Sequence, residues 1–189
     1  MTQLLTRLWT VADYHRMEQA GIFNAGERVE LLAGQVVPMA AKGTPHTVSL
    51  TRTNELMSRL REYVQMIVRI QDPITLDDYS EPEPDVVLVR PDPLYYIERH
   101  PIPADVYLVI EIADSSLALD CGIKANLYAQ AGIGDYWVLE VNQRQLRVFR
   151  EPSDVGYLSQ RVLPETATLA PLQFPNLPIA IQDLLPLLG

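Results

Sequence analysis

Two acidic residues near the ends of apolar runs carry the first hint of chemistry. Pro84-Asp85 opens the run Val86 to Arg90, and Glu111 stands near the end of the nearly all-apolar run Val106 to Ala113, 26 positions after Asp85. If the two runs are antiparallel neighbours, both carboxylates reach the same end of one sheet, and the connection from Pro91 to Asp105 is compatible with that return. Converging carboxylates repel each other unless a divalent cation lies between them, and hard oxygen donors suit Mg²⁺ or Mn²⁺. The competing reading is a pair of solvated strand-end acids, because 24 Asp and Glu residues will place some pair near a sheet edge by chance. Lys124 follows on the next helical stretch, one turn after Asp120 and one turn before Tyr128. It reads either as the i, i+4 surface partner of Asp120 or as a lysine that orients water for attack on phosphorus while metal ions stabilise the developing charge. Spacing alone favours the surface pair.

Other chemistry-bearing residues are less committed. His46 follows Pro45 near a helix start, where it either contacts a phosphate or caps the helix; without a partner in view, the structural role is favoured. Gln71, before Asp72-Pro73, hydrogen-bonds a substrate or fixes a bend. His15 and His100 have no motif around them. Ser115 and Ser116 beside Asp114 suggest a nucleophile only until a histidine partner is sought, and a strand-to-helix turn is the simpler account. No glycine-rich phosphate loop is present.

The elements that must hold these residues follow from periodicity. Thr10 is placed to cap a short helix through Met17 that ends at Gly21. Arg28 to Met39 is two apolar runs about Ala33-Gly34, a β-hairpin. His46 to Tyr63 carries a helical stripe of Leu56, Leu60 and Tyr63. Strands are expected over Met66 to Ile74, Val86 to Arg90 and Val106 to Ala113, the last central because it is apolar throughout. A helix over Asp120 to Ala131 is closed by Gly132. Tyr136 to Val141 and Gln145 to Arg150 form a hairpin, Gly156 to Leu163 adds a strand, and Ile181 to Leu185 is a short terminal helix. Strands with helices interleaved in mixed order indicate an α/β or α+β sheet protein with helices on its faces.

The composition sets the outer limits. With 189 residues, 48% apolar and 21% charged, one domain spanning 1–189 with a substantial core is expected and intrinsic disorder is excluded. No apolar run reaches membrane-spanning length, and no cleavable leader is read at the amino terminus. A single cysteine, Cys121, excludes an internal disulfide and a Cys-rich zinc site, so a reducing cytoplasm is the expected compartment. A net charge of −9 argues against a passive DNA-coating protein. Arg52, Arg59, Arg61, Arg69 and Arg90 either offset that charge near a substrate or are ordinary surface residues.

A resemblance joins these residues. Glu111-Ile112-Ala113-Asp114-Ser115-Ser116, then Asp120, Lys124 and Tyr128, then Gly132 through Glu140 resemble the Uma-two family of restriction endonucleases, as do Glu30-Leu31-Leu32-Ala33-Gly34, His46, Gln71-Asp72-Pro73-Ile74 and Pro84-Asp85-Val86. The likeness runs in order from about Trp9 to Leu163, and the block from Glu111 to Trp137 is its most specific part. It implies a PD-(D/E)XK, restriction endonuclease-like core: a central mixed β-sheet flanked by helices, with an N-terminal helix and β-hairpin. By position it implies that Asp85 and Glu111 ligate Mg²⁺ or Mn²⁺, with the carbonyl of Ile112 completing the metal site. The superfamily lysine two places after the acid is absent, since Ala113 stands there, and the resemblance takes the lysine from the next helix as Lys124. It also suggests that Glu30 faces the site, against the alternative of a strand acid in solvent, with His46 and Gln71 as auxiliary residues. The function implied is a metal-dependent endonuclease acting on DNA. Two alternatives stand beside it: a non-catalytic module of the same fold that binds nucleic acid or protein, and a structural domain forming a homodimer or larger homo-oligomer through apolar edges.

Overall fold

The computed structural model describes residues 6–188, so the reading of the leader falls in part on residues outside it. Helix α1 (Val11–Gln19) begins where Thr10 and Asp13 cap each other: the Asp13 N–H donates to the Thr10 hydroxyl at 3.1 Å and the Thr10 N–H donates to the Asp13 carboxylate at 3.3 Å. Strands β1 (Val29–Leu32) and β2 (Gln35–Pro38) form a hairpin whose turn places Ala33 and Gly34 at φ 48° and 74°, the left-handed pair that a two-residue turn requires. The hairpin is a small sheet of its own, not part of the main one. Helix α2 (Thr44–Leu60) starts two residues before His46, because Pro45 is tolerated in a first turn where its missing N–H would have no helical partner.

Strands β3 (Ile67–Ile70), β4 (Val86–Val89) and β5 (Val106–Ala113) follow. The strand expected to run on to Ile74 stops at Ile70, because Gln71 adopts φ 53° and turns the chain out of the extended conformation. A helical crossover comes next: α3 (Leu117–Leu119), a wide π-helical turn over Asp120–Lys124, and α4 (Ala125–Gln130). The chain closes with β6 (Asp135–Glu140), β7 (Gln145–Ser153), β8 (Gly156–Pro164), a small pair β9 (Thr168–Leu169) and β10 (Ile179–Ala180), and a 3-10 helix, Ile181–Asp183, within the Ile181 to Leu185 stretch where a short helix is expected.

The main sheet has the order β3-β4-β5-β6-β7-β8. Every neighbouring pair is antiparallel except β5 and β6, which are parallel and joined by the helical crossover, as a parallel pair demands. Period-two alternation sends Leu108, Ile110 and Ile112 into the core that includes Met57 of α2, while Val109 and Ala113 join the opposite core with Ala125, Tyr128 and Ala129 of α4. Burial on both faces explains why β5 is almost wholly apolar and why Glu111, in its midst, is conspicuous.

The centre of the sheet should therefore be far less tolerant than its edge. Ile110 is fully buried and Val162, on edge strand β8, is half exposed. Ile110→Ala should cost about 2–5 kcal/mol and Val162→Ala about 0.5 kcal/mol or less in urea unfolding; equal costs would contradict this assignment of the core.

Candidate active site

The register of β4 against β5 sets Val86 opposite Ile110. Asp85, one residue before β4, therefore lies beside Glu111, and its N–H donates to Glu111 Oε2 at 3.3 Å. Prolines 82 and 84 keep the approach to β4 extended, and three bonds fix its course: Glu81 N–H to Leu31 C=O at 2.8 Å, Ile74 N–H to Pro82 C=O at 3.1 Å and Gln71 N–H to Asp85 C=O at 3.0 Å.

Asp85 is buried and well supplied with donors. Its Oδ2 accepts from Ile112 N–H at 2.9 Å and pairs with His46 Nε2 at 3.0 Å, and its Oδ1 accepts from Gln71 Nε2 at 2.9 Å. Burial raises the Asp85 pKa, but the histidine, the glutamine and the backbone N–H outweigh it and hold the carboxyl below its ordinary range. His46 is thus the partner of Asp85, not a helix cap. Gln71 supports Asp85 from a left-handed backbone conformation of the kind that costs a non-glycine residue about 1–3 kcal/mol and that clusters at functional sites.

Glu111 lies among acids and one cation. Its Oε1 accepts from Lys124 Nζ at 3.0 Å and from the Tyr128 hydroxyl at 3.0 Å. Lys124 Nζ also lies 3.0 Å from Glu30 Oε2, and that oxygen accepts the Glu83 N–H at 3.1 Å. Burial pushes the Glu111 carboxyl well up; Lys124 opposes the shift, and Asp120, Asp85 and Glu30 reinforce it. Burial likewise raises Asp120 to about 6 against the pull of Lys124 and of Ser116, whose hydroxyl donates to it at 2.6 Å. Burial would lower Lys124, but Glu111, Glu30 and Asp120 overcome it and keep the ammonium form.

The surface pairing of Asp120 with Lys124 does not occur. Both residues are buried, and the four-residue spacing spans a π-helical turn, so the geometry that aligns i and i+4 in an α-helix is lost. Lys124 instead reaches inward to Glu111 and Glu30. Glu30 is 2% exposed, which disposes of the solvent-facing reading.

Asp85, Glu111, Lys124, Glu30, His46 and Asp120 line one small cleft of about 60 Å³, together with half-buried Glu83 and, exposed at its rim, Lys42. Gln71 joins it through the bond to Asp85 and through its Oε1, which accepts from Lys42 Nζ. Sequence reasoning passed over Tyr128, Asp120 and Lys42 as site members. Tyr128 had a usable signal, since it stands four residues after Lys124 and four residues of regular helix bring both side chains to Glu111. None of Arg52, Arg59, Arg61, Arg69 and Arg90 lines the cleft; Arg69 pairs with Asp72 and Arg90 bonds the Ala104 carbonyl.

The donor set is suited to a hard divalent cation. A carboxylate offers about four lone-pair sites; Asp85 and Glu111 each have three engaged, which leaves one oxygen site on each side chain. Among the described residues no three carboxylates of the cleft approach as tightly as the donors of His15, Glu81 and His100, which border a second cleft.

The fold is a six-stranded mixed sheet flanked by helices, with Asp85 just before β4, Glu111 on the antiparallel neighbour β5 and Lys124 reaching Glu111 from the crossover. The Uma2 family model, described as "Putative restriction endonuclease", matches residues 11–182, and the chain belongs to that family. Among solved structures it is similar to a protein of Anabaena variabilis described as "a putative nuclease belonging to DUF820", with a TM-score of 0.68 and 13% identity over 93% of this chain and 96% of that one, a likeness of fold. Among curated proteins nothing matches the chain. No helix of the described residues is long and apolar enough to cross a membrane.

The Lys124 pairings should appear in stability. At pH 7, Lys124→Met should cost about 3–5 kcal/mol by leaving buried carboxylates unpaired, and the loss should shrink in mild acid as those carboxylates take up protons. Combining it with Glu30→Gln in a double-mutant cycle should give a coupling of about 1 kcal/mol or more. Additive losses would mean that the Lys124 and Glu30 pair carries no energy.

Proposed function

We propose that this protein is a divalent-metal-dependent endonuclease that hydrolyses DNA phosphodiester bonds. Asp85 and Glu111 would hold Mg²⁺ or Mn²⁺, the Ile112 carbonyl would complete the ligand set, and Lys124 would position the attacking water. The supporting observation is the buried ammonium of Lys124, 3.0 Å from both Glu111 and Glu30 at the sheet end beside Asp85. A stabilising surface lysine needs no such position.

When bound, the cation supplies Lewis acidity, lowering the pKa of water and neutralising charge that develops on phosphate. The chain's own residues do the rest. Lys124 has three N–H donors and spends two on Glu111 and Glu30, which leaves one that would serve a water or a phosphate oxygen. Ile112 N–H, His46 and Gln71 fix the orientation of Asp85, and Tyr128 fixes that of Glu111. Lys42, exposed at the rim, would be available to an approaching phosphate chain, and it offsets part of the acidic surroundings.

Plasmid, single-stranded and branched DNA incubated with the purified chain and Mn²⁺ should be cleaved, with activity lost on adding EDTA. Asp85→Asn and Lys124→Met should each lower the rate by about two to three orders of magnitude while retaining native circular dichroism. Unchanged cleavage in either folded variant would remove that residue from the site. Mn²⁺ and DNA binding without any cleavage would instead support the non-catalytic module.

A further inference from the structure

We propose that His15, Glu81 and His100 form a second metal site, separate from the Asp85 and Glu111 cleft, which takes a Zn²⁺-type transition-metal dication and clamps α1 and the loop before β5 onto the segment leading to Asp85. One ligand atom from each of the three side chains lies within 4.8 Å of the other two. His15 Nε2 is in hydrogen-bond contact with Glu81 Oε1, and the His15 and His100 rings meet edge to face at 6.4 Å. Donors bonded to one tetrahedral Zn²⁺ at about 2.0–2.1 Å sit roughly 3.4 Å apart, inside that span, so side-chain rotation is enough to close the site around an ion.

The surroundings are built for this arrangement. Glu81 is 3% exposed, and its second oxygen accepts from the Thr75 hydroxyl at 2.7 Å, the kind of outer bond that fixes a ligating carboxylate. Thr75 also donates its N–H to the carbonyl of Pro101, next to His100, at 3.0 Å, and Val11 at the start of α1 donates to the carbonyl of Asp78 at 2.8 Å. Two segments far apart in the chain are thus tied by backbone bonds to the same 75–81 stretch, and the donors of all three converge. The side chains border an open cleft of about 320 Å³ that leaves room for further water ligands, and Glu18, Glu27 and Glu83 around it outnumber Arg28.

The donor types decide the class of ion. Two imidazole nitrogens and one carboxylate suit Zn²⁺ and its neighbours, whereas Mg²⁺ prefers an all-oxygen octahedron. The two sites of this protein therefore select different metals. At the second site the bond between His15 and Glu81 is exchanged for two metal bonds, and the metal joins α1 to the loop that carries His100.

Zn²⁺ titration of the full chain by calorimetry, in the presence of excess Mg²⁺, tests the site. One Zn²⁺ should bind per chain; His15→Gln and His100→Gln should each weaken it by about a hundredfold, and Asp85→Asn should leave it unchanged. His100 is on a partly exposed loop, so His100→Gln should keep the metal-free melting temperature of the wild type while losing the rise that Zn²⁺ produces. Co²⁺ in place of Zn²⁺ should give the visible absorption of a four- or five-coordinate ion in the wild type and not in His100→Gln. Zn²⁺ affinity unchanged in both histidine variants, or lost in Asp85→Asn instead, would overturn the proposal.

Discussion

The organisation of this protein's cleft depends on one buried cation. Asp85, Glu111, Glu30 and Asp120 converge on a space of about 60 Å³, where the cost of removing ions from water is high and like charges repel. Lys124 offsets that repulsion by pairing with Glu111 and Glu30 at once. The π-helical turn fits this need: it widens the helix where the lysine must turn towards the sheet.

The topology supplies the place for that cation. Because β5 and β6 are parallel, the chain must cross over the sheet between them, and the crossover helix begins just after the end of β5. Because β4 and β5 are antiparallel, the start of one and the end of the other coincide, which brings Asp85 to Glu111. The hairpin adds Glu30 from a third direction, held to the 81–85 segment by the paired bonds between Leu31 and Glu81. Site formation thus draws on several distant stretches of the chain, while each local piece is ordinary secondary structure.

That division explains what could be read from the residues. The strands with strong apolar runs, β4 and β5, and the hairpin of β6 and β7 were legible because burial on a sheet dictates their pattern. The end of β3 was not, because the turn at Gln71 comes from a left-handed backbone that no periodicity announces. Asp85 and Glu111 could be paired by reasoning about strand ends. Lys124 could not be separated from a surface pair by spacing, since an i, i+4 argument assumes a regular α-helix and the chain makes a π turn there. The partnership of His46 with Asp85, 39 residues apart, and the meeting of His15 with Glu81, 66 residues apart, are products of tertiary folding alone. The family resemblance reached Glu30, His46 and Gln71 because it carries positions through the fold, which local chemistry does not.

As proposed, the carboxylates of Asp85 and Glu111 form a divalent-metal centre beside Lys124. Anomalous X-ray scattering from crystals equilibrated with Mn²⁺ examines it without relying on any particular DNA substrate. A Mn²⁺ peak is expected within bonding distance of oxygens from both side chains, with Lys124 adjacent to it. Mn²⁺ bound elsewhere at saturating concentration, with no peak between Asp85 and Glu111, would contradict it.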